Sequence, residues 1–283
     1  MNAAAEPATG WQARLALGFE RDAGRTRLVR REHIGPLLVQ RPFYPEPLVP
    51  QRAEPCHVYI VHPPGGVASG DELTLEATVG THAHALLTTP AAAKFYRRGV
   101  AGLARVRQTL RVDAGVLEWL PQESIFYPDA AVELDTIVHL SGAARFIGWE
   151  IGCVGLPASA QTLQHGALRL RLELWHAQPL LLERINLDQQ ALESRWGLGG
   201  HAAFGTALAF PADAQTLARA QAAIAELDCA ERLLACTLID GVLVCRATAQ
   251  RTDRLKQALV QWWQAIRPCM LAREAVAPRI WST

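Results

Sequence analysis

Two histidines, His82 and His84 in the segment THAHALL, stand two residues apart. In an extended chain residues i and i+2 share a face, so both imidazoles could meet one metal ion, as a metal-dependent hydrolase on a β-sandwich would require. They could equally stand on a solvated strand face. Cys56 and His57 are adjacent, and neighbours on a strand point to opposite faces. Ser69 lies in VASGD, outside any G-x-S-x-G nucleophile elbow. The sequence has no G-x-x-x-x-G-K-[ST], and no G-x-G-x-x-G follows a strand, so nucleotide chemistry is not expected of this chain.

More telling are carboxylates in apolar surroundings. Glu150 lies in ARFIGWEIGCVG and Glu183 in PLLLERINL, where a desolvated charge is costly unless it is paired or hydrated. An ion pair is one solution, Glu183 with the adjacent Arg184 or with an arginine across the sheet. The other is a line of carboxylates along the route of a hard or borderline cation, joined by Asp71 and by Glu123 of LPQES. Spacing leaves both open. Asp71 ends the stretch HPPGGVASGDEL, whose two prolines fix φ while Gly65, Gly66 and Gly70 permit positive φ and close backbone approach. A rigid loop is expected there. Lys94, in KFYR, is one of only two lysines in a chain rich in arginine, so a compact ammonium is kept where the composition favours guanidinium. Phe95 and Tyr96 beside it read as core or interface packing.

Strands must position these groups. VRQTLRV, AVELDTIVHL and LRLRLELW alternate apolar and polar residues, which predicts antiparallel sheet with one wet face. LLACTLIDGVLVCRATA is two such runs joined by Asp240-Gly241, which predicts a hairpin with a type I′ turn. Helical periodicity is confined to residues 212–227 and 252–266, the second starting on a Thr252 cap with Pro268 near its end. Residues 41–55, RPFYPEPLVPQRAEP, predict a loop or an extended edge segment. The expected fold is mainly β, with layered antiparallel or mixed sheets, sandwich-like or β-helix-like, and about two helices in the C-terminal third. One domain spans residues 1–283, with residues 1–10 disordered.

A net charge of +1 with 19% charged residues supplies no field for nucleic acid or a membrane surface. Six scattered cysteines without C-x-x-C spacing read as reduced thiols of a cytosolic protein. The first ten residues lack the features of a secretion signal, and no run of eighteen apolar residues follows.

RPFYPE, HPPGGVASGDEL, LLTTPAAAKFYR, LEWLPQESIFYP and APRIW follow one another in the order and spacing of the urease accessory protein UreD, called UreH in some organisms. From about Gly35 to its end the sequence resembles that family. It departs in GLPASAQ, with Leu156 and Gln161 where the family often has arginine and glutamate. The resemblance implies a non-enzymatic, cytoplasmic, β-rich scaffold that joins UreF and the GTPase UreG to apo-urease during nickel insertion. It implies transient nickel and no tightly bound cofactor. On that reading Asp71, Glu150 and Glu183 become stations of a nickel passage. The motif residues His62, Pro63, Pro64, Gly65, Gly66, Gly70, Thr88 and Thr89 gain a functional reading, as do Lys94, Tyr96, Arg97, Gln122 and Glu123. A β-sandwich metal-dependent hydrolase using His82 and His84 is the alternative from another class.

Overall fold

A computed structural model of the protein describes residues 10–99, 102–225, 227 and 232–282. Most of the segment expected to be disordered, residues 1–9, lies outside them, as does Cys229. One sheet of seven strands contains β1 (Gln12–Asp22), β2 (Arg25–Ile34), β5 (Glu72–Val79), β8 (Ala104–Asp113), β11 (Ala131–Ser141), β13 (Ala167–His176) and β14 (Gln178–Leu187). The second, of ten, contains β3 (Leu38–Val39), β4 (Cys56–Val61), β6 (His84–Thr88), β7 (Ala93–Phe95), β9 (Val116–Trp119), β10 (Ser124–Phe126), β12 (Arg145–Val154), β15 (Ala203–Phe210), β16 (Arg232–Ile239) and β17 (Val242–Ala249).

Between β2 and β15 the chain passes repeatedly from one sheet to the other. Strands β4, β6, β9 and β12 pair in parallel in the second sheet. Strands β1, β5, β8, β11 and β13 do the same in the first. The result is a β-helix-like coil, closed by the antiparallel pairs β1–β2 and β13–β14 and by the antiparallel strands β15, β17 and β16. The wet face foreseen from alternation is there, but β8 and β11 pair in parallel on both sides and β13 is antiparallel only to β14. Parallel strands usually lie buried on both faces. Here the first sheet turns its outer face to water and covers it with cross-strand ion pairs such as Arg105–Glu133, Arg169–Glu133 and Arg171–Asp135. Alternation therefore reports the wet face and not strand direction.

Two cores result. One, containing Leu15, Leu75, Leu110, Val138 and Phe146, fills the space between the sheets. The other lies behind the second sheet, where Trp149, Ile151 and Leu243 meet α2 (Ala214–Ala225) and α3 (Thr252–Leu271) through Ile224, Leu259, Trp262 and Trp263. A third, five-residue helix, α1 (Gln189–Glu193), was not foreseen; the Asp188 carboxylate accepts from the Ala191 amide and caps it. In α3 Arg251 occupies the cap and Thr252 is already helical, while the helix runs three residues past Pro268. A proline in the last turn removes only one amide donor. The 240–241 turn is as expected, with φ of 47° and 77°. Among the described residues no helix is long and apolar enough to cross a membrane.

Candidate functional site

Along β12 the residues facing the other sheet are Phe146, Gly148, Glu150, Gly152 and Val154, while Ile147, Trp149 and Ile151 face the helices. Glu150 therefore points between the sheets from a strand cleared on either side by glycine. The clearance is used by aromatic rings: a Cβ at Gly148 would strike Phe146, and one at Gly152 would strike Phe204. Glu150 Oε1 accepts hydrogen bonds from Trp119 Nε1 at 2.9 Å and Thr136 Oγ1 at 2.8 Å. Burial outweighs these two neutral donors and pushes its pKa above the ordinary glutamate value.

Glu183 faces inward from β14, opposite Leu172. Its Oε1 accepts from Thr206 Oγ1 at 3.2 Å and Arg246 Nε at 3.1 Å, so it is tied to β15 and β17 of the other sheet. Arg184 is engaged elsewhere, with Glu173 at 2.6 Å. The second oxygen, Oε2, is buried and has no partner. Thr206 is also the cross-strand neighbour of Glu150 and thus lies between the two carboxylates.

Three cavities run through this region. The first, about 390 Å³, is lined by residues of the Gly-rich loop, among them His62, Gly65 and Gly66, by Lys94 and Gln122, and by Trp119, Ser124 and Glu150. A narrow one of about 40 Å³ shares Ser124, Leu134 and Glu150 with it. The narrow cavity also shares Glu183, Ile185, Phe204 and Thr206 with a groove of about 740 Å³, whose rim carries Trp196, 87% exposed, and Leu233. Glu150 and Glu183 thus stand at the two junctions.

Asp71 does not line any of the three. Both its oxygens are taken by amides, Oδ1 by Trp11 at 2.8 Å and Oδ2 by Ala68 at 2.7 Å, so it ties down the Gly-rich loop. That loop takes the backbone its glycines permit: Gly65 and Gly70 have φ of 76° and 85°, and the Tyr96 ring lies where a Gly66 Cβ would be. Val67 donates to the Lys94 carbonyl, and the Tyr96 amide to the Val67 carbonyl. His62 is half-buried, which lowers its pKa despite the nearby Asp71 charge. Lys94 is exposed at the cavity edge on β7. Pro64, Gly70, Thr88, Tyr96, Arg97 and Glu123 are not lining residues. Thr88 Oγ1 links the Leu120 carbonyl to Trp281, Arg97 pairs with Ala130 in a bridge, and the Glu123 carbonyl accepts from Ala93. Leu156 and Gln161 pair through backbone alone, so the departure from the family pattern leaves their loop closed.

The shared face expected of His82 and His84 does not form. β6 starts only at His84; His82 is an exposed turn residue with φ of 59°, whereas His84 is buried and its Nε2 lies 2.7 Å from Glu118 Oε1. Among the described residues no three His, Cys, Asp or Glu side chains gather to hold a metal ion.

Sequence reasoning missed a buried ion network behind the second sheet. Glu118, fully buried on β9, receives Arg267 Nε and Nη2, Trp263 Nε1 and His84; Arg267 Nη2 also reaches Glu46 at 2.5 Å, and Glu46 meets His57 at 2.9 Å. Burial alone would raise the Glu118 pKa, but the Arg267 charge and the His84 hydrogen bond hold it far below the usual value. Its members come from the 41–55 loop, three strands and α3, a convergence that no local spacing signals.

Fold and site define a β-helix-like protein with carboxylates shared by the walls of two cavities and an adjoining groove. A family model described as UreD urease accessory protein matches residues 12–282. The urease accessory protein UreD of Citrobacter koseri is 41% identical over 277 residues, covering 97% of this chain and 92% of its own. Those of Klebsiella aerogenes and Pseudomonas putida are 40% and 42% identical, with 97% of this chain covered in each case and 97% and 95% of theirs. The chain belongs to the UreD urease accessory protein family, and its role lies in urease maturation.

Proposed function

We propose that this protein links UreF and UreG to apo-urease and that nickel ions travel through it between the two sheets, past Glu150 and Glu183. The observation that carries this reading is the sharing of these two carboxylates by three adjoining cavities. At roughly 10–15 Å³ per water, the narrow cavity of about 40 Å³ has room for only a few. A hydrated divalent ion must shed part of its shell there, and carboxylate oxygens replace what is lost. Glu150 has two neutral donors, and Glu183 has one oxygen held by Arg246 and Thr206, leaving one for the ion. Few and weak ligands suit transfer, since a site that completes a coordination shell would retain the metal.

The rival reading, a purely structural ion pair, accounts for one Glu183 oxygen and leaves Oε2 and Glu150 without an explanation. The test is to express Glu183→Ala in place of the native chain with the urease genes, then measure recovery of UreF, UreG and urease with it and the nickel content of urease. The passage reading expects normal recovery with less nickel. A structural pair expects assembly to fail first, because Arg246 is stranded, and that outcome would overturn the passage.

A further inference from the structure

His201 lies at the end of the WGLGGH loop, just before β15, and lines the wide groove together with Glu183. It is buried, and its Nδ1 is 3.1 Å from the Leu198 carbonyl oxygen. A carbonyl can only accept, so Nδ1 carries the proton of the neutral ring and Nε2 keeps its lone pair. Nε2 is buried and has no partner, as is Glu183 Oε2. Both residues line one groove, and two acceptors buried just behind it without a partner are costly unless a cation or its water meets them. Their anchors are close: Arg246 holds Glu183, Thr248 Oγ1 is 3.4 Å from His201 Nδ1, and these two residues are same-face neighbours on β17, roughly 7 Å apart along the strand.

We propose that His201 Nε2 is a nitrogen ligand at the wide end of the passage that selects a late first-row divalent metal ion and exchanges it with Glu183. This rests on the passage reading. Carboxylates and water alone suit magnesium as well as nickel, whereas an imidazole favours nickel, copper and zinc. A carbonyl behind the distal ring nitrogen fixes the tautomer and strengthens the ligand. Two ligands anchored this far apart favour exchange over retention, and Arg246 keeps Glu183 from offering both oxygens.

The test uses the full chain in its complex with UreF and UreG, with Ni²⁺ or Mg²⁺ alone as probe. His201→Asn keeps an amide donor for the Leu198 carbonyl and removes the Nε2 ligand. Calorimetric titration should find Ni²⁺ bound at least about tenfold more weakly with Mg²⁺ binding unchanged. In the native chain carrying ¹³C-histidine, Ni²⁺ should broaden the His201 ring signal before those of the other histidines, a readout independent of whether the variant folds. Unchanged Ni²⁺ affinity in His201→Asn, or no early broadening, overturns the His201 assignment. If Glu150→Gln and Glu183→Gln still lower nickel delivery in that case, the passage stands without His201; if they do not, the passage falls too.

Discussion

Removing the guanidinium of Arg267 while keeping an unbranched apolar stem, as in Arg267→Met, should be among the most destabilising single changes in this protein. Arg267 is fully buried; its Nε lies 3.1 and 2.9 Å from the two Glu118 oxygens, and its Nη2 lies 2.8 Å from Glu118 and 2.5 Å from Glu46. Its loss leaves two buried carboxylates facing each other, with Trp263, His84 and His57 as the remaining hydrogen-bond donors and the Arg273 guanidinium 3.9 Å from Glu46 as the remaining cation. Stranding buried charges in this way costs about 3–5 kcal/mol, a large part of the ~5–15 kcal/mol that holds a domain folded. The pH dependence has a definite sign. Glu118 and Glu46 both have folded pKa values below the ordinary 4.5, so their contribution is complete above that value and is lost as the pH falls through the folded values. The deficit of the variant should be full at pH 7 and shrink in acid. Urea denaturation followed by tryptophan fluorescence at a series of pH values measures it. A deficit below about 1 kcal/mol at pH 7, the range of an exposed pair, would show that the buried network holds the fold no more strongly than a surface pair does. The network also touches the passage, because Glu118 and Trp119 are adjacent on β9 and Trp119 holds Glu150 from the opposite face.

Other expectations concern the carboxylates. Asp71→Asn places an amide where two backbone N–H groups now donate, and should cost about 1–3 kcal/mol without a nickel-specific defect; thermal unfolding and urease nickel content on one preparation separate the two effects. The raised pKa of Glu150 means that it takes up a proton early as the pH falls, so nickel transfer should decline on the acid side and the decline should vanish in Glu150→Gln. The same shift makes ionisation of Glu150 destabilising as the pH rises from the unfolded value to the folded one. Glu150→Gln should therefore unfold at an equal or higher temperature than the native chain above that window, and a lower one would contradict the burial argument.

Much of this architecture is legible in local pattern. Alternation located β8, β11 and β13, and Asp240-Gly241 fixed the turn between β16 and β17, because a side-chain period and a φ requirement are properties of a few neighbouring residues. Strand direction was not legible, since a parallel coil with one wet face alternates just as a hairpin does. The inward face of β12 could have been read more closely: taken every second residue, GWEIG is Gly-Glu-Gly, a carboxylate between two missing side chains. That Asp71 stands apart from the cavities was not legible, because a loop carboxylate can satisfy its own loop, as it does through Ala68 and Trp11. The Arg267 network escaped notice because its partners are distant in sequence, with Arg267 149 residues from Glu118, and His201 because the groove it lines is assembled from β14, β15 and β17.

Nickel on this passage must cross the narrow junction between the first two cavities, and Ser124 lines both of them. Ser124→Leu would place apolar bulk there while leaving Glu150, Glu183 and their hydrogen bonds in place. The decisive measurement is nickel per urease active site after activation by the purified accessory complex carrying this variant, with complex recovery measured alongside. The account predicts recovery equal to the native complex and nickel reduced at least as much as in Glu183→Gln. Full nickel loading through an intact Ser124→Leu complex would contradict it.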